Sequence, residues 1–174
     1  MMDYPLLLTN FMQHAARYYP GKEIVSVYTT DTFRYTYADW YRRTSQLAGA
    51  LRAFGIQKGE RVASFSLNNH RHLELYFGVP CMGAVLHTLN IRLSAEHLVY
   101  IINHAQDRIL FIDEDFYFLI EPIKDQLKTV ELYVILSQSG VMPQTTLSPV
   151  VLYDDWIKDY PEEYDFPVDR DEND

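Results

Sequence analysis

Apolar and polar positions along this chain follow two periods. Short runs rich in β-branched and aromatic residues recur between stretches whose apolar positions repeat every three or four residues, the marks of strands and amphipathic helices. Ile24 to Tyr28 and Phe33 to Tyr37 flank Thr29-Thr30-Asp31-Thr32 and predict a β-hairpin. Thr36, with Asp39 three positions on, gives a capping-box-like helix start. That helix carries Trp40, Thr44, Leu47, Ala48, Leu51 and Phe54 on one face, and Gly55 is placed to stop it. Arg42, Arg43, Gln46 and Arg52 fall on its wet side.

The alternation continues to the end of the chain. Arg61 to Ser66 reads as a strand after a turn at Gly59, and a second helix runs from Asn68-Asn69 through Leu73, Tyr76 and Phe77 toward Pro80. Ala84 to Leu89 is the next strand, and Ser94 caps a helix whose inward face is Leu98, Ile101, Ile102 and Ala105. Ile109 to Ile112 is wholly apolar, as expected of a strand buried on both faces. Phe116, Leu119, Ile120, Ile123 and Leu127 mark a fourth helix that Pro122 should kink or shorten. Leu132 to Leu136 and Val150 to Tyr153 complete the strands, with the loop Ser137 to Pro149 between them. This order predicts right-handed crossovers and an α/β fold: a mostly parallel sheet flanked by helices on both faces, with an N-terminal β-hairpin.

Composition narrows the picture. In 174 residues, 48% hydrophobic with 14 Tyr, 9 Phe and 2 Trp, there is material for one buried core and no sign of a disordered chain. The single cysteine, Cys81, rules out an internal disulfide framework; it lies in an apolar run and reads as a core residue in a reducing compartment. Asp3 stands where a secretory signal would be positive, and the longest uncharged run, Leu75 to Ile91, is broken by Gly, Pro, His and Asn. A cytoplasmic protein without a membrane span is expected. Of the 24 acids, ten lie from Asp154 onward against only Lys158 and Arg170. The body is thus nearly neutral, with no basic stripe for nucleic acid. Residues 1–153 read as the α/β unit and 154–174 as an acidic, solvated linker.

The chemistry legible in the residues is sparse. Neither G-x-G-x-x-G nor G-x-x-x-x-G-K-[ST] occurs; the residues after the Arg61 to Ser66 strand are Leu67-Asn68-Asn69-His70. His70 and His72, with Glu74 nearby, loosely suggest a metal site, but residues two apart on a helix diverge, so no metal ligand is assigned. His97 and His104 read as surface or cap residues, and Asp113-Glu114-Asp115 as acids complementing a helix start.

Several segments, in order, resemble the adenylate-forming enzymes: Phe33-Arg34-Tyr35-Thr36-Tyr37-Ala38-Asp39-Trp40, Leu47-Ala48-Gly49-Ala50-Leu51, Gly55-Ile56-Gln57-Lys58-Gly59-Glu60-Arg61-Val62-Ala63, and the stretch Gly83 to Ser94. Tyr100-Ile101-Ile102-Asn103-His104-Ala105 and Leu110-Phe111-Ile112-Asp113 continue the match, which is similar to AMP-forming fatty-acyl-CoA ligases of medium- and long-chain type. Ile91 stands where many relatives carry proline, and Asp171-Glu172-Asn173-Asp174 resembles the approach to the family's phosphate loop.

The resemblance implies the first subdomain of the adenylate-forming N-terminal domain. It implies a parent that activates a fatty acid with ATP and Mg²⁺ to an acyl-adenylate and passes the acyl group to CoA. The phosphate loop, the ribose-binding aspartate and the catalytic lysine would lie beyond Asp174, so no catalytic residue is assigned and the 174 residues alone are expected to be inactive, with no cofactor bound. The matching loop in relatives lies near the CoA nucleotide, which makes Asn90 and Arg92 candidate cofactor-binding residues; on the bland reading, Asn90 completes a turn and Arg92 pairs with an acid. A homo-oligomer is expected, because later subdomains would cover part of this layer. The alternative function is a non-catalytic interaction module derived from the family.

Overall fold

The computed structural model describes residues 6–29 and 31–167. Strands β1 (Glu23–Val27) and β2 (Thr32–Thr36) pair antiparallel as a separate two-stranded hairpin. Helix α2 (Tyr37–Phe54) follows at once and opens on the expected capping box, Asp39 N–H donating to Thr36 Oγ1 and Thr36 N–H to the Asp39 carboxylate. Gly55 ends it at φ 102°, a left-handed conformation that suits glycine.

Five parallel strands form the main sheet: β3 (Arg61–Phe65), β4 (Val85–Thr88), β5 (Ile109–Asp113), β6 (Leu132–Leu136) and β7 (Val150–Leu152), in the order β4-β3-β5-β6-β7. Every residue of β5 and β6 is buried, as strands covered on both faces must be. One face packs on α2 and α3 (His70–Met82), around Leu47, Leu51, Val62, Leu75, Val79 and Phe111. The other packs on α4 (Ala95–Ala105), around Phe65, Leu98, Ile102, Leu110 and Ile135. Helices α2 and α3 approach closely at Gly78, where an added Cβ would meet Leu47 Cδ2 at 2.7 Å. Pro122 acts as expected: α5 (Tyr117–Ile120) stops after four residues and continues as a 3₁₀ segment, Glu121–Gln126.

Two helices lie outside the sequence expectation. Helix α1 (Leu8–Tyr18) starts without a side-chain cap or an acid in its first turn, so the usual start signal is missing. Helix α6 (Tyr153–Ile157) turns the expected boundary between residues 153 and 154 into the interior of an element. Beyond it, Gln46 Nε2 donates to the carbonyls of Lys158 and Tyr160, and Phe166 is buried against Tyr41. Up to Phe166 the acidic stretch therefore packs on the body, because its aromatic rings bury enough apolar area to hold it. The Asp171-Glu172-Asn173-Asp174 segment lies outside the described residues. Among the described residues no helix is long and apolar enough to cross a membrane.

Candidate functional site

From β3 the chain crosses first to β4 on one side and then to β5 on the other, so the strand order switches between β3 and β5. Ligands of open α/β sheets bind outside the carboxyl ends at such a point. A cleft of about 150 Å³ lies there, lined by Tyr28, Asn68, Asn69, Arg71, Asp113, Glu114, Asp115 and Gln138 among others.

Asp113 closes β5 and is buried. Its carboxylate accepts from Ser66 Oγ and Asn69 Nδ2, both at 3.2 Å, and from the Asp115 N–H at 3.3 Å. Burial pushes this carboxyl above its ordinary range, opposed by the Asp115 N–H and the Ser66 hydroxyl. Glu114 accepts from Ser137 Oγ at 2.6 Å and from the Gln138 N–H at 2.7 Å. The expected role of the three acids at a helix start does not hold: α5 has no acid in its first turn and no side-chain cap. Turn donors on both sides of β5 reach the Asp113 and Glu114 carboxylates first.

Behind the cleft lies a buried charge network. Arg71 donates through Nε and Nη2 to Asp154 Oδ2, at 2.9 and 2.7 Å. Arg43 grips the fully buried Glu74 with two bonds, at 2.7 and 3.2 Å, and reaches Asp154 Oδ1 at 2.6 Å. The Tyr153 hydroxyl donates to Glu74 Oε2 at 2.7 Å. Two guanidinium groups thus balance two carboxylates across α2, α3 and α6. Burial pushes the Glu74 carboxyl up, opposed by Arg43 and Tyr153, whereas Asp154, although burial works against it, is held below its ordinary range by Arg71 and Arg43. Arg43 is therefore not on the wet side of α2, where periodicity alone put it; Arg42 and Arg52 are. A signal for this network was present. Arg71 and Glu74 lie on the same helical stripe as Leu75, Gly78 and Val79, and charges on a buried stripe require partners.

The histidines do not converge. His70 stacks on Phe33 with centroids 3.9 Å apart and its Nδ1 meets Tyr28 Oη at 3.1 Å, whereas His72 Nε2 meets Ser64 Oγ at 3.0 Å. His97 meets the Ser94 cap and His104 stacks on Tyr100. Among the described residues no group of three or more His, Cys, Asp or Glu is placed to hold a metal ion.

The second place is the loop from β4 to α4. Asn90 Oδ1 accepts from the Arg92 N–H at 3.0 Å and the Asn90 carbonyl accepts from the Leu93 N–H, so Asn90 completes a turn. Its side-chain amide nitrogen has no partner among the described residues. The exposed Arg92 guanidinium likewise makes no ion pair or hydrogen bond among them. Neither residue lines the cleft at Asp113. The structure brings Asn90 and Arg92 together through the backbone and leaves the donors of both side chains outward.

The cleft does not fit the phosphates of a magnesium nucleotide. Three acids line it, Arg71 is committed to Asp154, and no glycine-rich turn offers backbone donors between β3 and α3. The Asn90–Arg92 loop fits one phosphate contact, through an exposed arginine with all its donors available.

A family model described as AMP-binding enzyme matches residues 12–172. A long-chain-fatty-acid–CoA ligase of Thermus thermophilus is 47% identical over 141 residues, covering 80% of this chain and 26% of its own length. A 3-methylmercaptopropionyl-CoA ligase of Ruegeria lacuscaerulensis is 39% identical over 169 residues, covering 97% and 31%. The crystal structure of the anthranilate CoA ligase AuaEII in complex with anthranoyl-AMP superposes with a TM-score of 0.81 at 23% identity, covering 95% of this chain and 30% of that one, a likeness of fold. The chain spans between a quarter and a third of the length of these curated relatives.

Proposed function

The chain belongs to the AMP-binding enzyme family, and we propose that it is the first α/β layer of a ligase that joins a fatty acid to CoA through an acyl-adenylate. In such a ligase a carboxylate oxygen attacks the α-phosphorus of ATP and pyrophosphate leaves. The CoA sulfur then attacks the acyl carbonyl, loses its proton, and AMP leaves. The observation that carries the reading is the 47% identity to a fatty-acid–CoA ligase across four-fifths of the chain. The relative acting on a sulfur-containing propionate supports a linear carboxylate of open chain length.

Within that ligase the chain's part is structural, with one contact to a substrate. In the cleft at Asp113 the Arg71 guanidinium is committed to Asp154, and the described residues there offer no other cation to stabilise charge in either step. Arg92 binds a CoA phosphate from the β4–α4 loop, with Asn90 shaping the turn and offering its amide. ATP, magnesium and the reacting carboxylate are held by residues outside this chain.

ATP–pyrophosphate exchange with fatty acids of several lengths tests the reading. The 174-residue chain alone should match the blank, and the full-length gene product should exchange. Exchange well above blank from the chain alone, or a folded full-length product inert toward every fatty acid, overturns it.

A further inference from the structure

We infer that His87 and Asp107 form a clamp that positions the β4–α4 loop, so that Arg92 is presented to the CoA phosphate. The inference rests on the CoA reading of that loop.

Strand β4, like the three-residue β7, is a short edge member of the main sheet. It has four residues, lies at an edge, and pairs only with β3 among the described residues. Opposite Ala63 in the register, His87 points to the face that α4 covers. Its Nδ1 lies 2.7 Å from Oδ2 of Asp107, a fully buried carboxylate at the junction between α4 and β5. The other Asp107 oxygen is buried with no hydrogen-bond partner among the described residues. The bond to His87 is therefore what satisfies this carboxylate, and a buried acid without it is costly.

The connectivity makes a closed circuit. From His87 the strand runs to Leu89, whose N–H donates to the Ser64 carbonyl at 2.8 Å. The Asn90–Arg92 turn follows, then the Ser94 cap and α4, which ends at Gln106 in a left-handed conformation. Asp107 comes next and ties back to His87. The far end of α4 is thus fastened to the strand that carries the loop. Arg61 also grips this end, through the Ala105 carbonyl and Gln106 Oε1, but it belongs to β3 and holds α4 without holding β4. Among the described residues His87 is the side chain whose hydrogen bond joins the edge strand to the helix end, leaving the loop between two fixed points.

The test uses the full-length ligase, amide hydrogen exchange and two half-reaction assays. His87→Ala should speed exchange at residues 90–93. It should also raise KM for CoA by about fivefold, with ATP–pyrophosphate exchange moving by less than about twofold. His87→Asn, whose carboxamide donor reaches roughly the place of Nδ1, should restore both readouts. If His87→Ala does not fold, His87→Gln carries the same comparison with a donor displaced by one methylene. Unchanged amide exchange at 90–93 overturns the clamp. Faster exchange with KM for CoA unchanged overturns its link to CoA, and Arg92→Ala then shows on its own whether the loop reading failed. A loss of both half-reactions together reduces the pair to a packing element and overturns the proposal.

Discussion

Arg71 and Arg92 each follow the carboxyl end of a parallel strand, yet the fold treats them in opposite ways. Arg71 is buried, holds Asp154 with two bonds, and shares that carboxylate with Arg43. Arg92 is exposed, and its side chain touches no acid among the described residues. The difference lies in what each charge has left to give. A guanidinium that has left water must have its partners inside the fold, so its donors are spent on structure. An exposed one keeps all five donors for a ligand. In this chain the arginine deepest in the candidate cleft is thus the one least able to bind there.

Breaking the buried side should give the largest effect. Glu74→Ala leaves the half-buried Arg43 with only the Asp154 carboxylate and removes the acceptor of the buried Tyr153 hydroxyl. The expected loss is about 3–5 kcal/mol, the usual cost of stripping one partner from a buried ion pair. Urea unfolding should show it as a fall in midpoint at constant slope. Glu74→Gln should cost less, since the amide oxygen still accepts from one neighbour. A loss below about 1 kcal/mol for the alanine variant would mean that water reaches the network and that the contrast with Arg92 is one of degree.

A smaller effect tests the same region through pH. His70 stacks on Phe33 and meets Tyr28, and burial, helped by the charges of Arg71 and Arg43, lowers its pKa from 6.5 to about 3. The unfolded chain takes up a proton near the ordinary value while the folded one stays neutral until about pH 3. The stability tied to neutral His70 is therefore complete above the unfolded pKa and drains away as pH falls toward the folded one. Between pH 7 and about pH 5 the loss should be about 1–2 kcal/mol, and His70→Gln should lack that part of it. His72, also lowered by burial, is present in both proteins and cancels from the comparison. Parallel losses in the two proteins would show that His70 titrates in solvent.

The parallel sheet and its helices were legible because the information is local. Apolar runs such as Ile109 to Ile112, the Thr36–Asp39 capping box and Gly55 each act within a few residues. Helix α1 was not legible because its N-cap residue, Leu7, offers no side-chain cap. The charge network was missed for a different reason. Arg43 meets Glu74 from 31 positions away and Asp154 from 111, and helical periodicity can mark a charge on a buried stripe but not name so distant a partner. The same long range hid His87–Asp107, twenty positions apart across a strand, a loop and a helix. At the loop, the turn role of Asn90 follows from its chemistry, whereas the missing acid beside Arg92 is a fact of packing.

The finest test lies on the exposed side. Arg92→Ala removes a side chain with no partner among the described residues, so stability should move by no more than about 0.5 kcal/mol, the range of ordinary surface changes. If the guanidinium meets a CoA phosphate, losing that contact should raise KM for CoA by about tenfold, the equivalent of about 1.4 kcal/mol. The adenylation half-reaction comes first and does not involve CoA, so ATP–pyrophosphate exchange should keep at least about half its rate. Arg92→Lys retains the charge but not the planar fork and should fall between the two. Raising the salt concentration should weaken CoA binding to the wild type more than to Arg92→Ala, because an exposed contact is screened. These readouts fail in different ways. If both half-reactions fall together while KM for CoA holds, the loop matters to the fold and Arg92 is no ligand. If neither moves, the free guanidinium serves only solubility, and exposure at the end of a strand is no guide to binding in this chain.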